Sequence, residues 1–171
     1  ISPKSDLFHF IPQCIGTDQF LKTKSTSSGN ISSFSSQIKT LNLSRKKIFL
    51  KMDIEGAEYE VFDDILKHNE NITSIVLEIH FGIRGQETKA LDLITRLNKD
   101  FVLVHLHANN CCLEAFVAPN ADGFVSKVLE LTYVNKRLIS KYELHENQSH
   151  PTSLDFPNTS GIGDYKFTLI P

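Results

Sequence analysis

The sequence predicts an α/β domain with a mostly parallel sheet, and two observations carry that prediction. From residue 45 onward, apolar β-prone runs alternate with helix-period segments in the order strand, helix, strand, helix, strand. Such alternation argues for parallel strands joined by right-handed helical crossovers. The chain has 171 residues, 40% of them hydrophobic, which is enough for one domain with a buried core and too little for two.

Residues 7–15 are apolar and β-prone, but Pro12 suits a strand end or an edge, and the run closes at Gly16. Residues 19–37 are polar, with Phe20, Leu21, Ile31 and Phe34 set between Ser and Thr clusters and a turn signal at Gly29-Asn30. They predict an irregular hairpin, so residues 1–44 are expected as a strand and a hairpin ahead of an alternating core over 45–136.

In the core, a strand over Ile48 to Ile54 leads to a helix with Ala57, Val61, Phe62, Ile65 and Leu66 on one apolar stripe and Glu60, Asp63, Asp64 and Lys67 opposite. A strand over Ser74 to Phe81 follows. A helix over about Gln86 to Lys99 places Ala90, Leu91, Ile94 and Leu97 on one face, and Phe101 to His107 is the third β-like run. The last strand, Val128 to Val134, follows the Asn109-Asn110 turn without a convincing helix between them, and is expected antiparallel to its neighbour. Residues 137–171 are rich in Pro, Asn, Ser and His and are expected as an irregular tail packing through Leu154, Phe156, Phe167 and Leu169.

A net charge of −2 and a pI near 6.4 offer no electrostatic case for nucleic acid or an anionic membrane as partner. No apolar run approaches the roughly 20 residues of a spanning helix, and nothing resembles a signal peptide. The three cysteines, Cys14, Cys111 and Cys112, make an odd count that suits a reducing compartment, so the cytoplasm is expected. The Asn-X-Ser/Thr triplets at Asn30, Asn42, Asn71, Asn147 and Asn158 read as chance in a Ser- and Asn-rich chain. The first residues, from Ile1, read like the middle of a protein, which leads us to expect a preceding segment.

The chemistry concentrates in KMDIEGAEYE, Lys51 to Glu60. Asp53 and Glu55 stand two apart where a strand meets a helix, about 7 Å between Cα atoms if extended, and are expected to point the same way. Ligands gather at the carboxyl ends of strands in open α/β sheets. Acids before a helix also have a bland explanation, since a helix N-terminus favours negative charge. Asp53 sits in an otherwise apolar strand, where a buried carboxylate needs a partner.

On the next strand Glu78 and His80 share one face, and sequential strand order would bring Asp53, Glu55 and His80 to one rim, with imidazole as a general base. His107, ending the third strand, is a further candidate for that rim. A solvent-facing histidine at a strand end is the ordinary alternative for both. Carboxylates and imidazoles are competent metal ligands, but no CxxC pair or HExxH motif occurs, and vicinal Cys111-Cys112 has no second pair.

IFLKMDIEGAEYEVFDDIL resembles the signature of the FkbM-type methyltransferases. SIVLEIHF, HLHANN and VLELTYVNK resemble the strands that follow it, HPTSLDFPN is similar to the end of such chains, and FHFIPQCIGTD is similar to the strand before the hairpin. The resemblance implies a class I, Rossmann-like methyltransferase fold with helices on both faces of a mostly parallel sheet, an antiparallel last strand and S-adenosylmethionine as cofactor. It also implies O-methylation of a sugar or small-metabolite hydroxyl, with Asp53 at the cofactor's methyl end, Glu55 or His80 as acceptor base, and cofactor contact by Gly16 and Thr17. The family's glycine-rich turn does not occur in these residues, so the chain is expected to carry the later part of such a domain. The rival expectations are a non-catalytic α/β binding module and a metal-dependent hydrolase using Asp53, Glu55, His80 and His107.

Overall fold

The computed structural model describes residues 8–17, 31–81, 87–111, 115–117, 124–143 and 148–168. Among these residues the central sheet has four strands: β3 (Ile48–Met52), β4 (Ile72–His80), β5 (Phe101–Ala108) and β8 (Val128–Asn135), in the order β3-β4-β8-β5. β3 and β4 are parallel, while β8 runs antiparallel to both of its neighbours. The result is a mixed sheet in an α/β arrangement. The last strand is antiparallel, as expected, but it inserts between the second and third strands of the alternating run.

Helices α2 (Glu58–Leu66) and α3 (Glu87–Asp100) provide the two crossovers. Their apolar stripes explain their orientation: Val61, Phe62 and Ile65 of α2 and Ala90, Leu93 and Leu97 of α3 are buried. They join one cluster with Ile75, Leu77 and Ile79 of β4 and Leu129, Leu131 and Tyr133 of β8, which stand opposite one another in register. The other face of the sheet carries Glu78, Glu130 and His107 in one cross-strand row. Helices were expected on both faces. Among the described residues, this second face instead meets the C-terminal segment, through Asn158 to Glu130 and Asp155 to His105.

At the N-terminal side, the described end of the expected 19–37 hairpin is a short strand and the start of a helix. The described part of that region contains β1 (Cys14–Ile15) and β2 (Ile31–Ser32), paired parallel, followed by helix α1 (Phe34–Thr40); residues 18–30, with the expected turn, lie outside the described residues. Ser33 caps α1 by accepting from the Ser36 N–H, and Phe34 and Ile38 are buried four residues apart on one helical face. Asp64 of α2 accepts from the Ser35 N–H and hydroxyl at 2.7 Å each, which ties α1 to α2. Burial pushes the Asp64 carboxyl up, but these bonds and Lys67 outweigh it and hold it below the usual range.

A short antiparallel pair, β6 (Ala115–Val117) with β7 (Phe124–Ser126), precedes β8. The C-terminal segment contains β9 (Ser149–His150) paired antiparallel with β10 (Phe167–Thr168). It was expected to pack through Leu154 and Phe156, yet both are exposed. Phe167, also expected there, does pack on the core, as does Tyr165, and Phe167 stacks on His150 at 4.7 Å between centroids, with polar bonds adding to the attachment; Leu169 lies outside the described residues. Among the described residues no helix is long and apolar enough to cross a membrane.

Candidate functional site

The carboxyl ends of β3 and β4 lie side by side, with Met52 paired to Leu77. β3 stops at Met52, two residues short of the predicted end, because the chain turns sharply at Glu55 and Gly56. Their φ values are +57° and +92°, a region that glycine adopts freely and glutamate does not. Asp53 is therefore exposed at the strand exit, not buried within it as expected. Asp53 and Glu55 meet because the turn folds back, not because an extended chain points them alike.

The turn delivers a compact group. Single ligand atoms of Asp53, Glu55 and His80 all lie within 4.8 Å of one another. His80 Nε2 stands 3.4 Å from Glu55 Oε2 and 3.4 Å from Glu78 Oε1. Burial, followed by the charge of Asp53, raises the Glu78 carboxyl above its usual range. Among the described residues no lysine or arginine pairs with Asp53, Glu55 or Glu78.

The residue that organises this group is Glu58, whose role the sequence did not announce. Its side chain is fully buried, and its Oε1 accepts from the Ile54 and Gly56 N–H groups at 3.3 and 3.2 Å. The same oxygen lies 3.2 Å from His80 Nδ1. A carboxylate oxygen only accepts, so Nδ1 carries a proton toward it and the Nε2 side of the ring faces Glu55 and Glu78. Tyr59 steadies the strand end by donating to the His80 carbonyl at 3.0 Å; burial and then the charge of Glu58 push its hydroxyl well up, and it remains a donor. A signal for Glu58 was available: it lies on the stripe of Phe62 and Ile65, four and seven residues on, as an acid on an apolar face.

His107 does not join the rim. β8 stands between β4 and β5, and His107 Nδ1 lies 3.1 Å from Glu130 while its Nε2 is 3.6 Å from Asp164. Glu130 also accepts from Asn109 and Asn158. Three members of the proposed hydrolase set therefore come together and the fourth belongs elsewhere. Gly16 and Thr17 follow β1, in a separate two-stranded sheet; the Gly16 N–H donates to Ser32, and Ile15 packs on the core.

A family profile described as Methyltransferase FkbM domain matches residues 16–110, more than half of the chain. The chain belongs to the FkbM methyltransferase family. In this FkbM domain the match spans β3, α2 and β4 with their acid- and histidine-bearing ends, and it stops at Asn110 after β5. Searches of curated proteins and of solved structures returned no match.

Proposed function

We propose that this FkbM domain serves S-adenosylmethionine-dependent methyl transfer to a hydroxyl of a sugar or small metabolite, at the rim formed by Asp53, Glu55 and His80. The observation that carries the reading is the Glu58-oriented His80, whose Nε2 faces the exposed Glu55 and half-buried Glu78 carboxylates at a strand end. Supporting the finer class I assignment are the crossovers on α2 and α3 and the antiparallel last strand. The donor set also fits the cofactor's charge: a sulfonium is a cation, and these acids lack a lysine or arginine partner among the described residues.

When bound, S-adenosylmethionine supplies an electrophilic methyl carbon on a sulfonium sulfur. The work of the chain is to align an acceptor oxygen in line with that carbon and to receive the acceptor's proton. Asp53 is assigned to the methyl end of the cofactor. Glu55 or His80 Nε2 takes the acceptor's proton as the oxygen–carbon bond forms and the sulfur–carbon bond breaks. Gly16 and Thr17, at the end of β1, are assigned to cofactor contact.

The acceptor is a small molecule or glycan, and the weak net charge favours neither nucleic acid nor a membrane surface. Exposed thiols at Cys14 and Cys111 suit a reducing cytoplasm. Calorimetry with S-adenosylmethionine on the full-length protein tests the assignment. Asp53→Ala is expected to weaken binding at least tenfold, and unchanged affinity and turnover in the folded variant would remove Asp53 from the site.

A further inference from the structure

The atoms around His80 pose an electrostatic problem. With Nδ1–H directed at Glu58, a neutral ring turns its Nε2 lone pair toward Glu55 Oε2 and Glu78 Oε1, each 3.4 Å away. Among the described residues, three acceptors then face one another with no donor between them, which is stable only if a proton or a cation lies among them. A buried carboxylate holds the ring from behind. Glu58 is buried, its Oε1 is taken up by two backbone N–H groups and His80, and its Oε2 has no hydrogen-bond partner. A buried carboxylate behind a histidine is how proteins orient a metal-ligating imidazole, fixing the tautomer and raising the basicity of the outer nitrogen.

We infer that Asp53, Glu55 and His80 Nε2 form a binding site for one divalent transition-metal cation, with Glu58 holding His80 from behind. The three ligand atoms already lie within 4.8 Å of one another. Ligands in cis positions at about 2.1 Å from an ion are about 3 Å apart, so exposed Asp53 and Glu55 need only small side-chain rotations to close on it. Two carboxylates and one imidazole suit Mn2+ or Zn2+ better than Mg2+, which prefers oxygen and retains its waters.

Binding of the ion does not depend on the methyl-transfer reading. Its use does: if that reading holds, an ion here would polarise the acceptor hydroxyl and take over from Nε2 the task of easing its proton loss.

The test is titration of the full-length protein with Mn2+, without S-adenosylmethionine, following the electron paramagnetic resonance signal of the free ion. One site per chain is expected, with Zn2+ displacing Mn2+ and Mg2+ competing weakly. His80→Gln and Asp53→Asn should each lower affinity tenfold or more. Glu58→Gln should do so by 10- to 100-fold through misorientation of His80, and Asp155→Asn should leave binding unchanged. Circular dichroism establishes that each variant is folded; if Glu58→Gln is not, the two ligand variants decide. Absence of stoichiometric binding, or binding that survives both His80→Gln and Asp53→Asn, would overturn the site and leave His80 held by a proton alone. The titration contains no cofactor, so its failure would leave methyl transfer to be decided by the cofactor calorimetry.

Discussion

Two histidine–carboxylate groups lie on this sheet, and their residues are put to opposite uses. In the C-terminal clasp, Asp155 accepts from His105 at 2.7 Å and from the Thr152 N–H and hydroxyl. There Glu130 gathers His107, Asn109 and Asn158, and Asn110 bonds Thr159 and Ile162. These contacts join segments of the chain far apart in sequence. At the β3 and β4 ends, among the described residues, Glu58 is the carboxylate spent in that way. Asp53 and Glu55 remain exposed, and Glu55 has 85% of its side chain in solvent, 3.4 Å from a histidine. The same residue types can build a strap or a binding rim, and what distinguishes them is whether the chain itself consumes the lone pairs.

The largest effect expected from breaking this contrast is at Glu58. Glu58→Ala strands the Ile54 and Gly56 N–H groups and His80 Nδ1, and should cost about 3 kcal/mol in urea unfolding. It should also weaken ligand binding at the rim, and loss of stability alone would make Glu58 purely structural. Next is the clasp. Asp155→Ala removes bonds to His105 and Thr152 and should cost about 2 kcal/mol, with faster proteolysis within 148–168 and unchanged affinity for S-adenosylmethionine. A changed affinity would mean that the two regions are one site.

A smaller effect follows from pH. Burial, then the nearby charge of His105, lowers the pKa of His150 from 6.5, so the folded protein favours the neutral ring. The stability this confers is complete above pH 6.5 and declines as pH falls from there toward the folded pKa, because the unfolded chain takes up the proton first. Asp155 lies close by. Burial raises its pKa, but Thr152 and His105 outweigh that and lower it, so its contribution persists to more acid pH and fades only below the ordinary carboxylate range. The urea midpoint should therefore drop between pH 7.5 and 5.5, and His150→Phe, which preserves the stack on Phe167, should flatten the drop. The smallest expected effect is at Asp63, paired with Arg96 but largely exposed. Asp63→Asn should cost less than about 0.5 kcal/mol in the same assay.

Much of the architecture was legible because periodicity reports burial. The alternation of strands and helices from residue 45, and the stripes Val61, Phe62, Ile65 and Ala90, Leu97, follow directly from the pattern, although the second stripe takes in Leu93 and leaves the expected Leu91 exposed. The insertion of β8 beside β4 was not legible, since strand order is chosen by long-range packing that no local pattern encodes. That insertion is what moved His107 away from the rim. Asp53 read as buried because its neighbours are apolar, and the reversal at Glu55 and Gly56 changed its exposure. Glu58 escaped notice because an acid in the first turn of a helix has an ordinary solvent-facing explanation. In the tail, Leu154 and Phe156 are exposed, and the expected apolar packing is carried by Phe167 and Tyr165 beside the hydrogen bonds.

Hydrogen–deuterium exchange of the full-length protein, with and without S-adenosylmethionine, tests most directly whether the rim is the ligand-facing region and the clasp a strap. Slowed exchange is expected in peptides covering 53–60 and 76–81 when the cofactor is present, with 148–168 unchanged. Protection confined to 148–168, or none at the rim at a saturating concentration, would contradict that division of roles.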